Sequence, residues 1–416
     1  MRRKYVEAER SLQDESVTNR DALLRAFLKA DKFGYGKYGK PRMIFPRDPR
    51  YNLALASRLK PFEHWLWGYL TARRLYGGSN TRVVAKGLNM VQRANLIVRK
   101  MRSFASCVVF EVDGSAFEAH VDVWQLLEEH GVYKSAFGGD DLLAFLLSMQ
   151  LVNEGSTNGG LRFSRSGGRA SGDFNTGMGN TLIMLAVVVA VLKHLKVKFD
   201  VLVDGDNALV FLSQCDSERV VGCFASLALG FSGHEMVLER PTSVIEQVRF
   251  GQCAPVEVRS GEWKMVRDWT KVISQMTSNH AHLNQPAFVR PYLRGVAQCE
   301  LALNVGVPII QTFANHLLTL TLGAKAVDDR FYRDYEVLGV DVSARGKAKF
   351  KEPTSVCRDS FSRAFGVAPD RQTDLERDLC SFLLNIQSWR PEESPWQGLF
   401  LDSRPGLVDK FLGVRE

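Results

Sequence analysis

Apolar positions fall into short runs separated by Gly, Pro and charged clusters, and the period of each run predicts its element. Residues 16–30 (SVTNRDALLRAFLKA) place their apolar side chains on one helical face behind a polar cap, which predicts an amphipathic helix. The next stretch, KFGYGKYGKPRMIFPRDPRYN, is broken by Gly and Pro and predicts an extended basic loop. KPFEHWLWGYLTARRLYG reads as a helix with an aromatic face, and CVVFEV (107–112) as a buried strand leading to Asp113. WQLLEEHGVY and DDLLAFLLSMQLVN read as helices, 155–173 as a Gly/Ser-rich loop, and about 176–196 as a long helix. In FDVLVDGDNALVF (199–211), two Val/Leu-rich runs flank Asp204-Gly205-Asp206-Asn207, the pattern of a β-hairpin with carboxylates at its tip. Beyond residue 270 the apolar clusters are spaced as helices. Strands and helices interleave without regular βαβ alternation, so an α+β fold is expected.

The most apolar stretch, 181–192 (TLIMLAVVVAVL), stops at Lys193-His194. It is shorter than the ~20 residues of a membrane span, so it predicts a buried helix and no transmembrane segment. The start, MRRKYVEAERSLQDES, has no apolar core of a secretory signal. A chain of 416 residues, 45% hydrophobic, suits two or three packed subdomains. Seven cysteines without CxxC spacing favour reduced thiols over a zinc site, and His280 and His282 read as loop residues. Charge changes the picture more. Residues 1–104 hold 23 Lys/Arg against 8 Asp/Glu, whereas the remainder holds 31 against 38. A basic end on a mildly acidic body suits a protein that grips a polyanion and places carboxylates elsewhere; a solvated basic face is the alternative.

Three polar features follow in order: Asp113 past a buried strand, SGDFNTGMGN (171–180) running into a helix, and Asp206 at the hairpin tip. Carboxylates on neighbouring strand ends suit hard divalent cations. A pair of such ions can activate a hydroxyl and stabilise a leaving pyrophosphate, as nucleotidyl transfer requires. The tripeptide Gly139-Asp140-Asp141 opens an apolar helical run without flanking strands, so Asp140 reads as an N-cap and Asp141 as a first-turn acid.

The series resembles motifs A, B and C of viral RNA-dependent RNA polymerases of the tombusvirus-like group. Asp113-Gly-Ser115-Ala-Phe117-Glu118-Ala-His120-Val121 follows motif A, and Ser171, Gly172, Thr176 and Asn180 match motif B in full. KPRMIFPRDPRYN resembles the basic motif F, VVAKGLNMVQRANLIVRKM the fingers segment before motif A, and IEQVRFGQCAPV motif E. The likeness covers about residues 37–270. Asn207 makes motif C a GDN, which is similar to that of fungal ambiguivirus-type replicases.

The resemblance implies a right hand: 1–104 a basic fingers segment, 105–270 the palm with inserted fingers helices, and 271–416 a helical thumb. It implies RNA-templated addition of ribonucleotides to an RNA 3′-end with two divalent ions, Mg²⁺ or Mn²⁺. Partners would be template and product RNA, ribonucleoside triphosphates and a viral upstream-frame replicase protein, since only some forty residues precede motif F. The host cytoplasm, including membrane-associated replication sites, would be the location. Asp113, Asp206 and, more weakly, Asn207 would be the catalytic metal ligands. Glu118, standing where the family has Asp, would select ribose with Asn180, Ser171, Gly172 and Thr176. Lys40, Arg42 and Arg47 would clamp the triphosphate, with Arg50 and Lys86 lining the channel. For the missing motif D lysine, His234 and Arg240 are weak substitutes. Trp65, Trp67 and Tyr69 read as packing, and Asp204 either compensates charge or shapes the turn. A catalytically impaired RNA-binding subunit or a reverse transcriptase are the alternatives.

Overall fold

Ten strands form three sheets among the described residues, which are 2–29, 41–278 and 286–384 of the computed structural model. They are β1 (Leu24–Leu28), β2 (Met43–Ile44), β3 (Cys107–Gly114), β4 (Val152–Thr157) and β5 (Arg162–Ser166), then β6 (Phe199–Asp204), β7 (Asn207–Ser213), β8 (Met236–Leu238), β9 (Cys253–Arg259) and β10 (Glu262–Arg267). The chain divides into two units. One is built from Met1–Lys29, Arg42–Leu88 and Leu96–Gly251, the other mainly from the chain after Gly251.

The first unit holds an antiparallel sheet in the order β6-β7-β3-β8. Side chains alternate across each strand. One face sends Phe110, Val112, Val201, Val203, Ala208 and Val210 into a core shared with the helices Thr176–His194 and Gln214–Ser232. Each of these buried Val and Phe side chains contributes roughly 1.5–3 kcal/mol, which pins the register and so fixes which residues reach the other face. Helix Thr176–His194 is long and apolar enough to cross a membrane, with mean hydropathy 1.7, but 61% of that window is buried inside the protein, so it serves as a core helix.

A second sheet of this unit runs β2-β1-β4-β5 and corrects two expectations. Residues 16–30 do not form one helix. The Thr18/Asp21 capping box closes only a 3₁₀ turn, Asn19–Ala22. β1 follows, with Leu24 and Ala26 buried and Arg25 outward. Its partners, β4 in parallel and β2 antiparallel, both lie later in the chain, and their ladder overrides a weak local helix preference. The Gly/Ser-rich 155–173 likewise contains part of the antiparallel hairpin β4–β5 before its loop begins.

In the second unit, β9 and β10 form an antiparallel hairpin. Helices Pro286–Leu303, Ile310–Leu320, Ser355–Phe365 and Pro369–Leu379 follow. Val256, Val266, Leu293, Phe313 and Phe361 share its core. Mixed helices and largely antiparallel sheets agree with the expected α+β class. His280 and His282 lie outside the described residues.

Candidate active site

The hairpin β6–β7 turns through Gly205-Asp206, closed by the cross-strand pair Asp204 and Asn207. Gly205 has φ +68°, the left-handed conformation that two-residue hairpins with a leading Gly require. Asn207 also pairs across the sheet with Asp113, and the Gly114 N–H donates to the Asp206 carbonyl at 3.0 Å. Asp113 and the tip are therefore registered on each other by backbone. Gly114 cannot be larger, because an added Cβ would lie 2.4 Å from the Phe117 ring.

Electrostatics bind the acids into one group. Burial raises the Asp206 carboxyl above its ordinary value, and the nearby charges of Glu118 and Asp113 raise it further; its own backbone N–H and the Asn207 amide, at 3.3 Å, pull it back. Partial burial, then the Glu239 charge, raises Asp113. Behind it, burial carries Glu111 up to about 7, against a hydrogen bond from the Gly251 N–H at 2.9 Å. Among the described residues no cation pairs with Asp113 or Asp206. Two unpaired carboxylates fit a hard divalent cation. No described cluster of three His, Cys, Asp or Glu side chains could hold one alone, so the remaining ligands would come from substrate and solvent.

Glu118 sits in the short helix Phe117–His120, entered through Ala116 in the left-handed region at φ 45°. Asn180 is 3% exposed, donates its amide to Glu118 Oε1 at 3.1 Å, and leaves its Oδ1 buried without a partner. A buried orphan acceptor costs about 1–3 kcal/mol, so Oδ1 is poised for a donor from outside the chain. Ser171 and Gly172 lie along the segment leading from β2. Ser171 Oγ accepts from the Phe45 N–H at 3.4 Å, and a Cβ on Gly172 would stand 2.5 Å from Pro46 Cα. Thr176 turns away from Glu118: its hydroxyl donates to the Ala170 and Asp173 carbonyls, both at 2.9 Å, and closes the loop.

Arg47 differs from the exposed clamp expected of it. It is 4% exposed, and its guanidinium donates to Asp173 at 2.7 Å, to Asn153 and to the Ala22 and Met149 carbonyls. Asp173 also accepts from Gln150, which donates to Asn175; Asn175 donates to Glu129, whose carboxylate pairs with Arg169 and accepts from the Tyr133 hydroxyl. This buried network seats the loop that carries Ser171 and Gly172. Its signal in the sequence was weak, because its members lie in five separate segments. Arg42 is exposed at the edge of β2, and Lys40 lies outside the described residues. Arg50 ties Asp21, Ser11 and the Glu15 and Ser16 carbonyls together. Asp140 caps the helix Asp141–Ser148 through the Leu143 N–H and receives Arg58 at 2.7 Å, as its sequence context predicts.

His234 is 1% exposed, stacked on Phe117 at 4.2 Å and depressed by burial to about 4, so it is held neutral rather than as a proton donor. Trp67 is buried, whereas Trp65 is 56% exposed and stacks on Tyr69 at 4.7 Å. Two functional contacts escaped the sequence reading. Thr181 Oγ1 accepts from the Gly205 N–H at 2.9 Å, tying the core helix to the tip. Lys86 pairs with Asp204 at 3.0 Å.

Known proteins resemble this chain along most of its length. A family model described as viral RNA dependent RNA polymerase matches residues 1–387. The chain is 34% identical over 390 residues to the RNA-directed RNA polymerase of Carnation mottle virus, covering 92% of this chain and 49% of that protein. It is 35% identical over 379 residues to a putative RNA-directed RNA polymerase of Barley yellow dwarf virus (isolate PAV), covering 90% and 42%. For the RNA-directed RNA polymerase of Tobacco necrosis virus (strain A), identity is 30% over 378 residues, covering 89% and 51%. The chain thus spans about half the length of the curated relatives it matches. The acids on β3 and at the hairpin tip, the Asn180–Glu118 pair and these relatives lead to one conclusion: the chain belongs to the viral RNA-dependent RNA polymerase family.

Proposed function

We propose that this chain adds ribonucleotides to an RNA 3′-end on an RNA template. The 3′-oxygen forms a bond to the α-phosphorus, the bond to the β-phosphate oxygen breaks, pyrophosphate leaves, and the hydroxyl proton passes to solvent. The observation that carries this reading is Asp113 on β3 and Asp206 in the adjoining turn, registered on each other by backbone beside the Asn180–Glu118 pair. Asp113 and Asp206, with Asn207 a weaker oxygen donor, are the residues to hold two divalent ions, Mg²⁺ or Mn²⁺. Such ions lower the pKa of the attacking hydroxyl and neutralise charge on the leaving oxygens.

The chain's own groups orient the nucleotide. Asn180 Oδ1, buried and unpartnered, accepts the ribose 2′-hydroxyl that deoxyribose lacks, with Glu118 holding the amide and Ser171 and Gly172 shaping the rim. This disfavours a reverse transcriptase. Arg42 and Lys40 are the remaining phosphate-clamp candidates, and Arg47 acts by positioning the motif B loop. We assign 1–104 as fingers, 105–270 as palm and 271–416 as thumb of a right hand, and motif C as a GDN of ambiguivirus type. Template and product RNA, ribonucleoside triphosphates and an upstream-frame replicase protein are the proposed partners, at replication sites in the host cytoplasm.

Primer extension on an RNA template with Mg²⁺ or Mn²⁺ tests the reading. Elongated RNA is expected, with ribonucleotides preferred over deoxyribonucleotides. Absence of product with both metals while RNA is still bound would instead establish a non-catalytic RNA-binding subunit.

A further inference from the structure

Residues 204, 207 and 113 stand in one cross-strand row: Asp204 on β6 faces Asn207 on β7, and Asn207 faces Asp113 on β3. Directly opposite residues have Cβ atoms roughly 4.5–5.5 Å apart, where like charges destabilise a sheet. Asn207 is the middle member, with Asp206 beside it in sequence. A carboxylate at 207 would stand between two others. The amide avoids that repulsion and donates to Asp206 at 3.3 Å.

Asp204 has a built counter-charge. Lys86 reaches it at 3.0 Å, with the two side chains 26% and 20% exposed. The lysine is not a loose surface group. Its segment runs beside β6 through the Ala85 N–H to Val203 carbonyl and Val203 N–H to Val83 carbonyl bonds, both 2.8 Å. Arg82 donates to the Lys86 carbonyl at 2.7 Å. The ammonium also occupies space that Gly177 leaves open, 3.2 Å from where a Cβ would lie. A cation is thus fixed at the edge of the row whose middle member is an amide.

We propose that Asp204 is a positioning residue for the metal-binding tip, and that Asp204, Asn207 and Lys86 form one charge-balanced unit in which the acid has been placed at 204 instead of 207. The inference rests on the reading of this tip as the metal site. It carries a consequence that neither residue shows alone: moving the acid back requires both changes. Asn207→Asp by itself crowds three carboxylates in a row. Asp204→Asn by itself strands Lys86 against the turn. Made together, they leave the acid count unchanged and keep one carboxylate in the cross-strand pair beside Lys86.

The test is a double-mutant cycle of Asp204→Asn, Asn207→Asp and the double variant, all nearly isosteric. Thermal midpoints and the binding of Mn²⁺ alone, by electron paramagnetic resonance, are measured without RNA or nucleotide. Each single variant is expected to lower the midpoint and the double variant to recover it, while Mn²⁺ binding weakens in Asp204→Asn and tightens in Asn207→Asp, where the added carboxylate is a harder ligand than the amide. A coupling on the order of 5-fold or more in Mn²⁺ affinity is expected for groups in contact. Lys86→Met should abolish that coupling. Additive effects, or a coupling that survives Lys86→Met, would overturn the proposal. Primer extension is scored separately, so loss of catalysis with an intact cycle overturns the polymerase reading and not this one.

Discussion

Single side chains divide here into those that face the reaction and those that hold the others. Asp206 faces it: Asp206→Ala should cut RNA synthesis by at least ~100-fold, the scale of removing one group that stabilises transition-state charge, with an unchanged circular dichroism spectrum. Substantial residual extension would remove it from the metal site. Asn180 faces it too. Asn180→Ala should narrow the preference for ribo- over deoxyribonucleotides by roughly 5–150-fold, matching ~1–3 kcal/mol for one buried hydrogen bond, read from kcat/KM ratios. Arg47 holds. Because its partner Asp173 would be left as an uncompensated buried charge, Arg47→Met should lower unfolding free energy by roughly 3–5 kcal/mol, seen in urea titration. The KM for nucleotide should then move only as far as the loop does. The sequence marked all three positions, yet it could not separate them, because a basic residue near a motif reads alike whether it points out or in.

At the scale of elements, the site depends on where the helix Thr176–His194 meets its neighbours. Its Gly179 lets Glu129 and Arg169 pass, since an added Cβ would lie 2.3 Å from the Glu129 carboxylate. Its Thr181 reaches the hairpin tip. Thr181→Val leaves the Gly205 N–H without its acceptor, and should cost about 1–3 kcal/mol and lower kcat more than KM. Thr181→Ser, which keeps the hydroxyl, should restore both; failure of that rescue would reduce Thr181 to packing. The β3 strand, the core helix and the hairpin were legible because their periods are long and their cores apolar. β1 was not, because it owes its form to partners supplied by other segments of the chain, and neither was the hairpin β4–β5, whose Gly/Ser-rich strands carry little apolar signal.

For the whole molecule, charge and proton binding set the measurable behaviour. The excess of 23 basic over 8 acidic residues in 1–104 predicts that RNA affinity falls linearly with the logarithm of salt concentration, each phosphate contact adding about 0.7 to the slope on single strands. A salt-independent affinity would exclude the basic segment as the gripping surface. Acid should act through buried histidine. Burial depresses His130 to about 4 from its ordinary 6.5, and its Nε2 lies 3.1 Å from Gln150 Oε1. Its neutral form contributes stability above pH 6.5 that is lost as pH falls towards 4, since the unfolded chain then binds more protons. The raised Glu111, at about 7, works oppositely and loses stability as pH rises from 4.5. The thermal advantage of the parent over His130→Gln should therefore shrink between pH 6.5 and 5; a constant difference would place the titration elsewhere.

The sequence by itself determined the chemistry and its order: the strand before Asp113, the Gly-rich entry to the core helix, the Asp-bearing hairpin, and the basic charge of the first hundred residues. These are local patterns, carried by period, turn chemistry and residue type. Only the tertiary structure decided which polar groups spend themselves on each other. It turned Arg47 inward onto Asp173, Thr176 onto loop carbonyls and Thr181 onto Gly205, and it left Asn180 Oδ1 open. It also set Asp204 against Asn207 with Lys86 beside them. Pairing across strands and the desolvation of buried charge are properties of neighbours in space, and Arg47 with Asp173, Thr181 with Gly205 and Lys86 with Asp204 lie tens to more than a hundred positions apart along the chain.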